Sequence, residues 1–103
     1  MSLAVVWSVA ASRMLLDAED RWQREHGFFV DNPLSDQVAA MLRLLVEYPE
    51  LGKVGRPARY VAPAIRLVVL RCGWELWYSH DAPRARIVVE AVWYPRRGGP
   101  PPI

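Results

Sequence analysis

Hydrophobic and polar positions follow two different periods along the chain, which divide it into strand-like and helix-like stretches. Residues 3–7 are a short β-branched and aromatic run, and this run predicts a first strand. Ser8 follows, where its hydroxyl can accept a hydrogen bond from the first free amides of a helix. Apolar residues then recur at helical spacing, at Ala11, Met14, Leu15, Ala18 and Trp22. The pattern therefore predicts an amphipathic helix that ends at Gly27.

A second helix is predicted after Asp31 and Asn32, either of which can cap a helix. Pro33 suits the first helical position, because an amide there has no partner within the helix. The apolar stripe that follows comprises Leu34, Val38, Met41, Leu42 and Leu45. The pattern ends at Tyr48-Pro49. Since only a short loop separates the two stretches, we expect an antiparallel helical hairpin.

Three strand patterns follow a Gly- and Pro-containing stretch at residues 52–63, which predicts a loop or an irregular strand. The predicted strands cover residues 65–71, 74–79 and 86–94. Their short connections favour an antiparallel meander. The order β-α-α-β-β-β predicts one α+β domain over residues 1–97, with the helical hairpin packed on one face of a small, mainly antiparallel sheet. Residues 98–103 contain two Gly and three Pro, and we expect them to form a flexible C-terminal tail.

The sheet face that points away from the helices is predicted to be unusually apolar. Strict alternation along the strands assigns to this face Val68, Leu70, Trp77, Val88 and Val92. An apolar face of this extent needs something to cover it. The pattern therefore predicts a partner on that side of the sheet.

Composition and charge narrow the class of protein. With 103 residues the chain is too short for separate cofactor and substrate domains, and its 52% hydrophobic content excludes a disordered protein. Residues 1–55 have a net charge of −3, whereas residues 56–103 have a net charge of +5. Twelve of the 13 basic residues are Arg, which favours recognition of acidic groups on protein or nucleic acid. A solvated sheet face is the alternative explanation.

The sequence has no motif for a catalytic or metal site, since Gly-rich phosphate loops, HExxH, CxxC and GxSxG are all absent. We expect no cofactor and no metal, because His26 and His80 are far apart in sequence and Cys72 is alone. A lone Cys favours a reducing compartment. No apolar run approaches the roughly 18–20 residues of a membrane span. We therefore expect a cytoplasmic protein without membrane contact.

The end of the last predicted strand is both basic and aromatic. Trp93 and Tyr94 stand next to Arg96 and Arg97. Aromatic rings and guanidinium groups together can bind phosphate, an RNA base or an acidic protein groove. These four residues form a predicted binding site for such a target, and we call it the target-binding site. In the alternative interpretation, Trp93 belongs to the core and the two Arg side chains are solvated.

Several segments of the chain resemble the ParE/RelE superfamily, the toxins of bacterial type II toxin–antitoxin systems. They run over nearly the whole chain and comprise Ser8, Tyr48-Pro49-Glu50-Leu51-Gly52, Arg66-Leu67-Val68-Val69-Leu70, Gly73-Trp74-Glu75-Leu76-Trp77-Tyr78 and Val92-Trp93-Tyr94-Pro95-Arg96-Arg97-Gly98. The resemblance implies a compact β-α-α-β-β-β domain, which matches the predicted order. It also implies a toxin that a cognate antitoxin holds inactive.

The resemblance implies two alternative activities. RelE-type members cleave messenger RNA on the ribosome, and one of their phosphate-contacting arginines usually follows the Gly-aromatic pair of the penultimate strand. Here Glu75 stands at that position and would repel a phosphate, and residues 98–102 lack the family's C-terminal tyrosine. Both departures favour the ParE branch, whose members inhibit DNA gyrase without being enzymes. Ribosome-dependent RNA cleavage remains the alternative, for which Arg96 and Arg97 are available.

The resemblance further implies an antitoxin whose disordered tail folds over the toxin. We expect a small ParD-like protein with an acidic, amphipathic tail. The predicted antitoxin-binding residues are the basic Arg59, Arg66 and Arg71, together with the apolar anchors Val68 and Trp77. Contact with DNA is expected only through the antitoxin.

Overall fold

The chain folds into two helices and five strands, seen in a computed structural model that describes residues 3–57 and 65–103. In chain order the elements are β1 (Ala4–Trp7), α1 (Val9–His26), α2 (Pro33–Leu45), β2 (Lys53–Val54), β3 (Arg66–Val69), β4 (Glu75–Asp81) and β5 (Arg86–Trp93). Short 3-10 turns at Ala82–Arg84 and Pro95–Arg97 flank β5. The predicted α+β class is confirmed, and so is the β-α-α-β-β-β order, to which β2 adds a strand of only two residues.

The strands form one mixed sheet in the order β1-β5-β4-β3-β2. Among the described strands, only the β1–β5 pair is parallel, and the other neighbouring strands are antiparallel. The last strand of the chain therefore lies inside the sheet, between the first strand and β4. β1 pairs with Arg86 to Val89 of β5, so the end of β5, which carries the predicted target-binding residues, is paired with the start of β4.

Local sequence determines where the helices begin and where α1 ends. The Ser8 hydroxyl accepts a hydrogen bond of 3.0 Å from an amide of the first turn. Gly27 ends α1 with φ at +85°, a left-handed value that L side chains rarely adopt. The Asn32 side chain caps α2 through the Leu34 amide at 3.0 Å, with Pro33 at the first helical position. These predicted boundaries are confirmed.

The main core lies between the helical hairpin and one face of the sheet. Its buried members are Ala11, Ala18, Leu34, Val38, Leu42, Leu45, Leu70, Leu76, Tyr78, Ile87, Val89 and Val92. Burial of one large apolar side chain is worth about 1.5–3 kcal/mol, so this set holds the hairpin on the sheet. Four of the five residues in the predicted α2 stripe are in it, which confirms the buried face of that helix.

A bulge in β5 changes which residues point to each face of the sheet. Trp77 pairs with Ala91, but the next residue of β4 pairs with Val89, so Glu90 is an additional residue in β5. Beyond it, Val92 packs with the helices, whereas Ala91 and Trp93 pack on the opposite face. The predicted faces of these residues are therefore wrong, because strict alternation does not anticipate an inserted residue.

The predicted faces of β3 are also wrong. Leu67 pairs with Trp77, and Val68 pairs with Leu76. Since directly paired residues share a face, Val68 lies on the helical side, as does Leu70. Over residues 65–71 each set of alternate residues contains one Arg and is otherwise apolar, so alternation alone did not identify the set that faces the helices.

The second face of the sheet carries a smaller apolar cluster, which the C-terminal segment covers in part. We call it the second-face cluster; its buried members are Ile65, Leu67, Trp77, Ala91 and Trp93, and both Met14 of α1 and Ile103 pack against it. Pro101 is fully buried, and its carbonyl accepts a hydrogen bond of 2.9 Å from the Ile103 amide. Part of the cover that the sequence assigned to a partner is thus supplied by the chain itself. The flexibility of residues 98–103 stays a prediction.

Tyr78 fixes the loop between α2 and β2. Its hydroxyl donates to the Pro49 carbonyl at 2.7 Å and accepts from the Gly52 amide at 2.9 Å. Burial raises the pKa of Tyr78, which keeps the phenol protonated and able to donate. A Cβ on Gly52 would lie 2.8 Å from both the Tyr78 oxygen and the Leu67 carbonyl oxygen, so this position requires glycine.

Tyr78→Phe should lower the free energy of unfolding by about 1–3 kcal/mol, because a buried amide and a carbonyl lose their partner. Denaturant unfolding followed by circular dichroism measures the change. Tyr48→Phe is the matched control, since Tyr48 is 59% exposed and should change stability little. Equal effects of the two substitutions would contradict the role given to Tyr78.

Candidate binding surfaces

The chain beyond β5 turns back over the sheet. The 3-10 turn at Pro95–Arg97 is followed by Gly98 and Gly99, whose φ values are +84° and +72°. Glycine adopts these values without the steric penalty that a side chain would bring. The turn brings the Gly99 carbonyl to the Trp93 indole, which donates a hydrogen bond of 3.3 Å. The two glycines therefore set the path of the C-terminal segment.

The structure places the four predicted target-binding residues in different environments. Trp93 is 9% exposed and belongs to the second-face cluster. Tyr94 is half-buried and Arg96 is exposed. The Arg97 side chain lies outside the described part of the structure. Tyr94 and Arg96 are thus the members that a partner can reach directly, and Trp93 supports them from the core.

Tyr94 lines a groove that sequence reasoning missed. Its ring lies 5.3 Å from that of Trp74, tilted by 41°, and both border a groove of about 480 Å³. The opposite wall is formed by α1, where Trp22 stacks on His26 with ring centroids 3.8 Å apart. We call this the aromatic groove. Glu75 pairs with Trp93, which brings the adjacent residues Trp74 and Tyr94 together. The sequence did not predict this groove because it does not give the register of β4 against β5.

The lining of the aromatic groove suits flat or apolar groups better than simple ions. Arg21 and Glu25 contribute one charge of each sign from α1. Four aromatic rings offer stacking surfaces, and the Arg21 guanidinium can stack on a ring as well as bind an anion. The groove can therefore hold an aromatic or aliphatic side chain of a partner, with a polar anchor at its edge.

The predicted antitoxin-binding residues do not form one continuous surface. Val68 is half-buried on the helical side, whereas Trp77 is 3% exposed in the second-face cluster. Arg66 donates to a backbone carbonyl of the loop after α2 at 2.7 Å. Arg71 is exposed in the turn before β4. Arg59 lies outside the described residues. Of the described members, only Arg71 is fully available to a partner.

An exposed apolar groove lies between α2 and β3. It consists of two adjoining depressions of about 230 and 400 Å³, which share Met41 and Val69. Leu44 is 41% exposed and Val69 is 58% exposed. Among the lining residues the charged ones are Arg71 and Lys53, which are both basic. We call this the α2–β3 groove.

The charged side chains of the β4–β5 hairpin have partners within it. Arg84 and Arg86 contact the same Asp81 oxygen, at 3.2 and 2.8 Å. Desolvation would raise the pKa of Asp81, but the hydrogen bonds from Arg86 and then Arg84 outweigh it, so this pKa is lowered. The Glu75 carboxylate accepts a hydrogen bond of 3.1 Å from the Trp77 indole. Arg84 and Arg86 therefore converge on the Asp81 carboxylate of their own hairpin and not on an external anion.

Within residues 3–57 and 65–103, no group of three or more His, Cys, Asp or Glu side chains is placed to hold a metal ion. None of the helices described there is long and apolar enough to cross a membrane.

The function of the aromatic groove and of the α2–β3 groove is inferred from their geometry, because comparison with known proteins gave no match. No protein-family model matches this chain. No curated protein matches it in sequence.

Glu90, the additional residue of the bulge, has an unusual carboxylate. Burial raises its pKa above the ordinary 4.5, and the hydrogen bond from the Ser79 hydroxyl, at 3.3 Å, offsets this only in part. The folded state therefore favours the protonated form. The resulting loss of stability is present above the raised pKa and disappears as the pH falls below 4.5.

Glu90→Gln should therefore raise the melting temperature at neutral pH, because the amide removes the buried charge and still accepts from Ser79. The difference from the wild-type protein should vanish well below pH 4.5. Thermal unfolding at the two pH values measures both effects. Glu47→Gln is the control, since Glu47 is exposed and should change little at either pH. An equal gain at both pH values would show that ionisation of Glu90 is not the cause.

Proposed function

We propose that this protein is the toxin of a bacterial type II toxin–antitoxin system, that a small acidic antitoxin neutralises it in the cytoplasm, and that it inhibits DNA gyrase. The observation that carries the proposal is the contact between two segments on which the ParE/RelE resemblance rests. Tyr78, at the end of one, is hydrogen-bonded to Pro49 and Gly52 in the other. The shared features are thus packed against each other in one folded unit, which supports a family relationship over coincidence.

Three features favour gyrase inhibition over RNA cleavage. Glu75 is an acid at the position where RelE-type ribonucleases usually have an arginine, and its carboxylate accepts a hydrogen bond from the Trp77 indole. Tyr78 is fully buried against backbone groups and does not reach a phosphate. Arg84 and Arg86 share Asp81 as their partner. Cleavage of a phosphodiester needs preorganised donors around the developing charge, which these side chains do not provide.

The proposed target-binding site is the end of β5. Arg96 and Tyr94 supply the accessible cation and ring, and Arg97 adds a second cation in the same turn. Trp93 holds the turn through its bond to Gly99. Aromatic and Arg anchors on a fixed support are typical of binding hot spots, where one anchor is worth about 2 kcal/mol or more. The antitoxin is proposed to bind elsewhere, at a surface that includes the exposed Arg71.

Expression of this chain alone in bacteria should arrest growth, and co-expression of a neighbouring reading frame for a small acidic protein should relieve the arrest. The purified protein should inhibit supercoiling by DNA gyrase, and it should leave messenger RNA intact on translating ribosomes. Harmless expression at a high level would remove the toxin proposal. Codon-position cleavage of the transcript would replace gyrase inhibition by the ribonuclease alternative.

The double variant Arg96→Ala, Arg97→Ala tests the proposed target-binding site. Its melting temperature should stay near that of the wild-type protein, because exposed charges contribute little to stability. Supercoiling inhibition should weaken at least about tenfold while binding of the antitoxin survives. Full inhibition by the folded double variant would place the target contact elsewhere.

A further inference from the structure

The loop between α1 and α2 exposes two consecutive phenylalanines. Phe28 is 82% exposed and Phe29 is 102% exposed. Val30, the next residue, is 48% exposed. Single exposed apolar residues are ordinary, but a contiguous group of this kind marks an interaction site. We call residues 28–30 the aromatic tip.

Hydrogen bonds and stacking hold the aromatic tip in place. The Trp22 indole donates to the Val30 carbonyl at 3.0 Å. The same ring stacks on His26, whose Nδ1 lies 3.2 Å from the Trp22 carbonyl oxygen. Gly27 makes the sharp turn with its positive φ. Because the loop is fixed in this way before binding, docking of the phenylalanines orders little additional chain.

A depression of about 350 Å³ next to the aromatic tip is acidic. It is lined by Glu19, Asp31 and Asp36, together with Phe28 and Val30. Among the described residues no basic side chain lines it, and the nearby Arg24, in the last turn of α1, is paired with Asp20 at 2.8 Å. The tip therefore fits an apolar acceptor with a basic edge, since opposite charges around an apolar contact favour docking.

The α2–β3 groove of the same protein has these properties. Its smaller depression, of about 230 Å³, has Met41, Leu44 and Val69 in its lining. A closed cavity of about 150 Å³ holds a benzene ring, so this open depression has room for a phenyl group. The charged lining residues of the groove, Arg71 and Lys53, are opposite in sign to those around the tip.

The tip and the groove of one chain do not meet. The tip precedes the first residue of α2, whereas Leu44 is near the end of that helix. Leu44 comes eleven positions after Pro33 in α2, which is about 16 Å along the helix at 1.5 Å per residue. A contact between the two surfaces therefore joins different copies of the chain.

We propose that the aromatic tip of one copy docks in the α2–β3 groove of a second copy. The contact is head-to-tail, so each pair keeps one free tip and one free groove. The free chain therefore adds further copies as its concentration rises. This inference rests on the two surfaces alone and holds whether or not the proposed function is correct.

Sedimentation of the chain, made by cell-free synthesis without a partner, tests this contact. The average mass of the wild-type protein should rise between low micromolar and millimolar concentration, and high salt should reduce the rise. The tip variant Phe28→Ser, Phe29→Ser and the groove variant Leu44→Glu should both weaken association at least about tenfold. Leu16→Ser is the matched control, since Leu16 is 62% exposed outside both surfaces and should associate like the wild-type protein.

An equimolar mixture of the two variants gives the sharpest result. The tip variant keeps an intact groove and the groove variant keeps an intact tip, so the mixture should form heterodimers and stop there. Circular dichroism checks the fold of each variant, and Leu44→Gln replaces Leu44→Glu if the latter unfolds. A wild-type chain that stays monomeric throughout overturns the proposal. So does a tip variant that associates like the wild-type protein, or a mixture that remains monomeric.

Discussion

The additional residue in β5 determines what each face of the sheet carries. Glu90 has no separate pairing partner in β4, and the alternation of β5 shifts by one residue beyond it. The start of α1 is attached at the same point, because the Ser8 amide donates to the Val89 carbonyl at 3.0 Å and the Ser8 hydroxyl to the Glu90 carbonyl at 3.4 Å. The bulge thus joins the start of α1 to β5, an interior strand of the sheet, and sets the faces of the residues that follow in β5.

The positions of the C-terminal residues follow from this shift. Val92 completes the core under the helices, and Trp93 points to the second face, where its indole bonds to Gly99 and Ile103 packs on the cluster. Tyr94 then lies on the helical side, in the aromatic groove. Without the additional residue, alternation would exchange these faces. Trp93 would then point into the helical core, and Tyr94 would leave the aromatic groove.

The helical half of the fold is predictable because its determinants are local. Ser8, Gly27, Asn32 and Pro33 act on backbone groups within one turn of themselves, and the apolar stripes repeat at the helical period. The sheet depends on the pairing and register of strands that are distant in sequence, which no short segment determines. Alternation did not reveal the insertion at Glu90, and Gly- and Pro-rich composition did not reveal that Pro101 is buried. The sequence therefore identified Tyr94 as a candidate binding residue but not its neighbour Trp74. The pairing of β4 with β5 brings these two rings together.

The bulge turns Trp93 to the second face, where Ile103 of the C-terminal segment packs on the cluster that contains it. Nuclear Overhauser contacts of the Ile103 methyl groups test this most directly in the isotopically labelled protein. We predict contacts from these methyl groups to side chains of the second-face cluster, and contacts from the Val92 methyl groups to the helical core. Absence of any contact from Ile103 to that cluster, or contacts from the Trp93 ring to the helical core in place of Val92, would contradict the account.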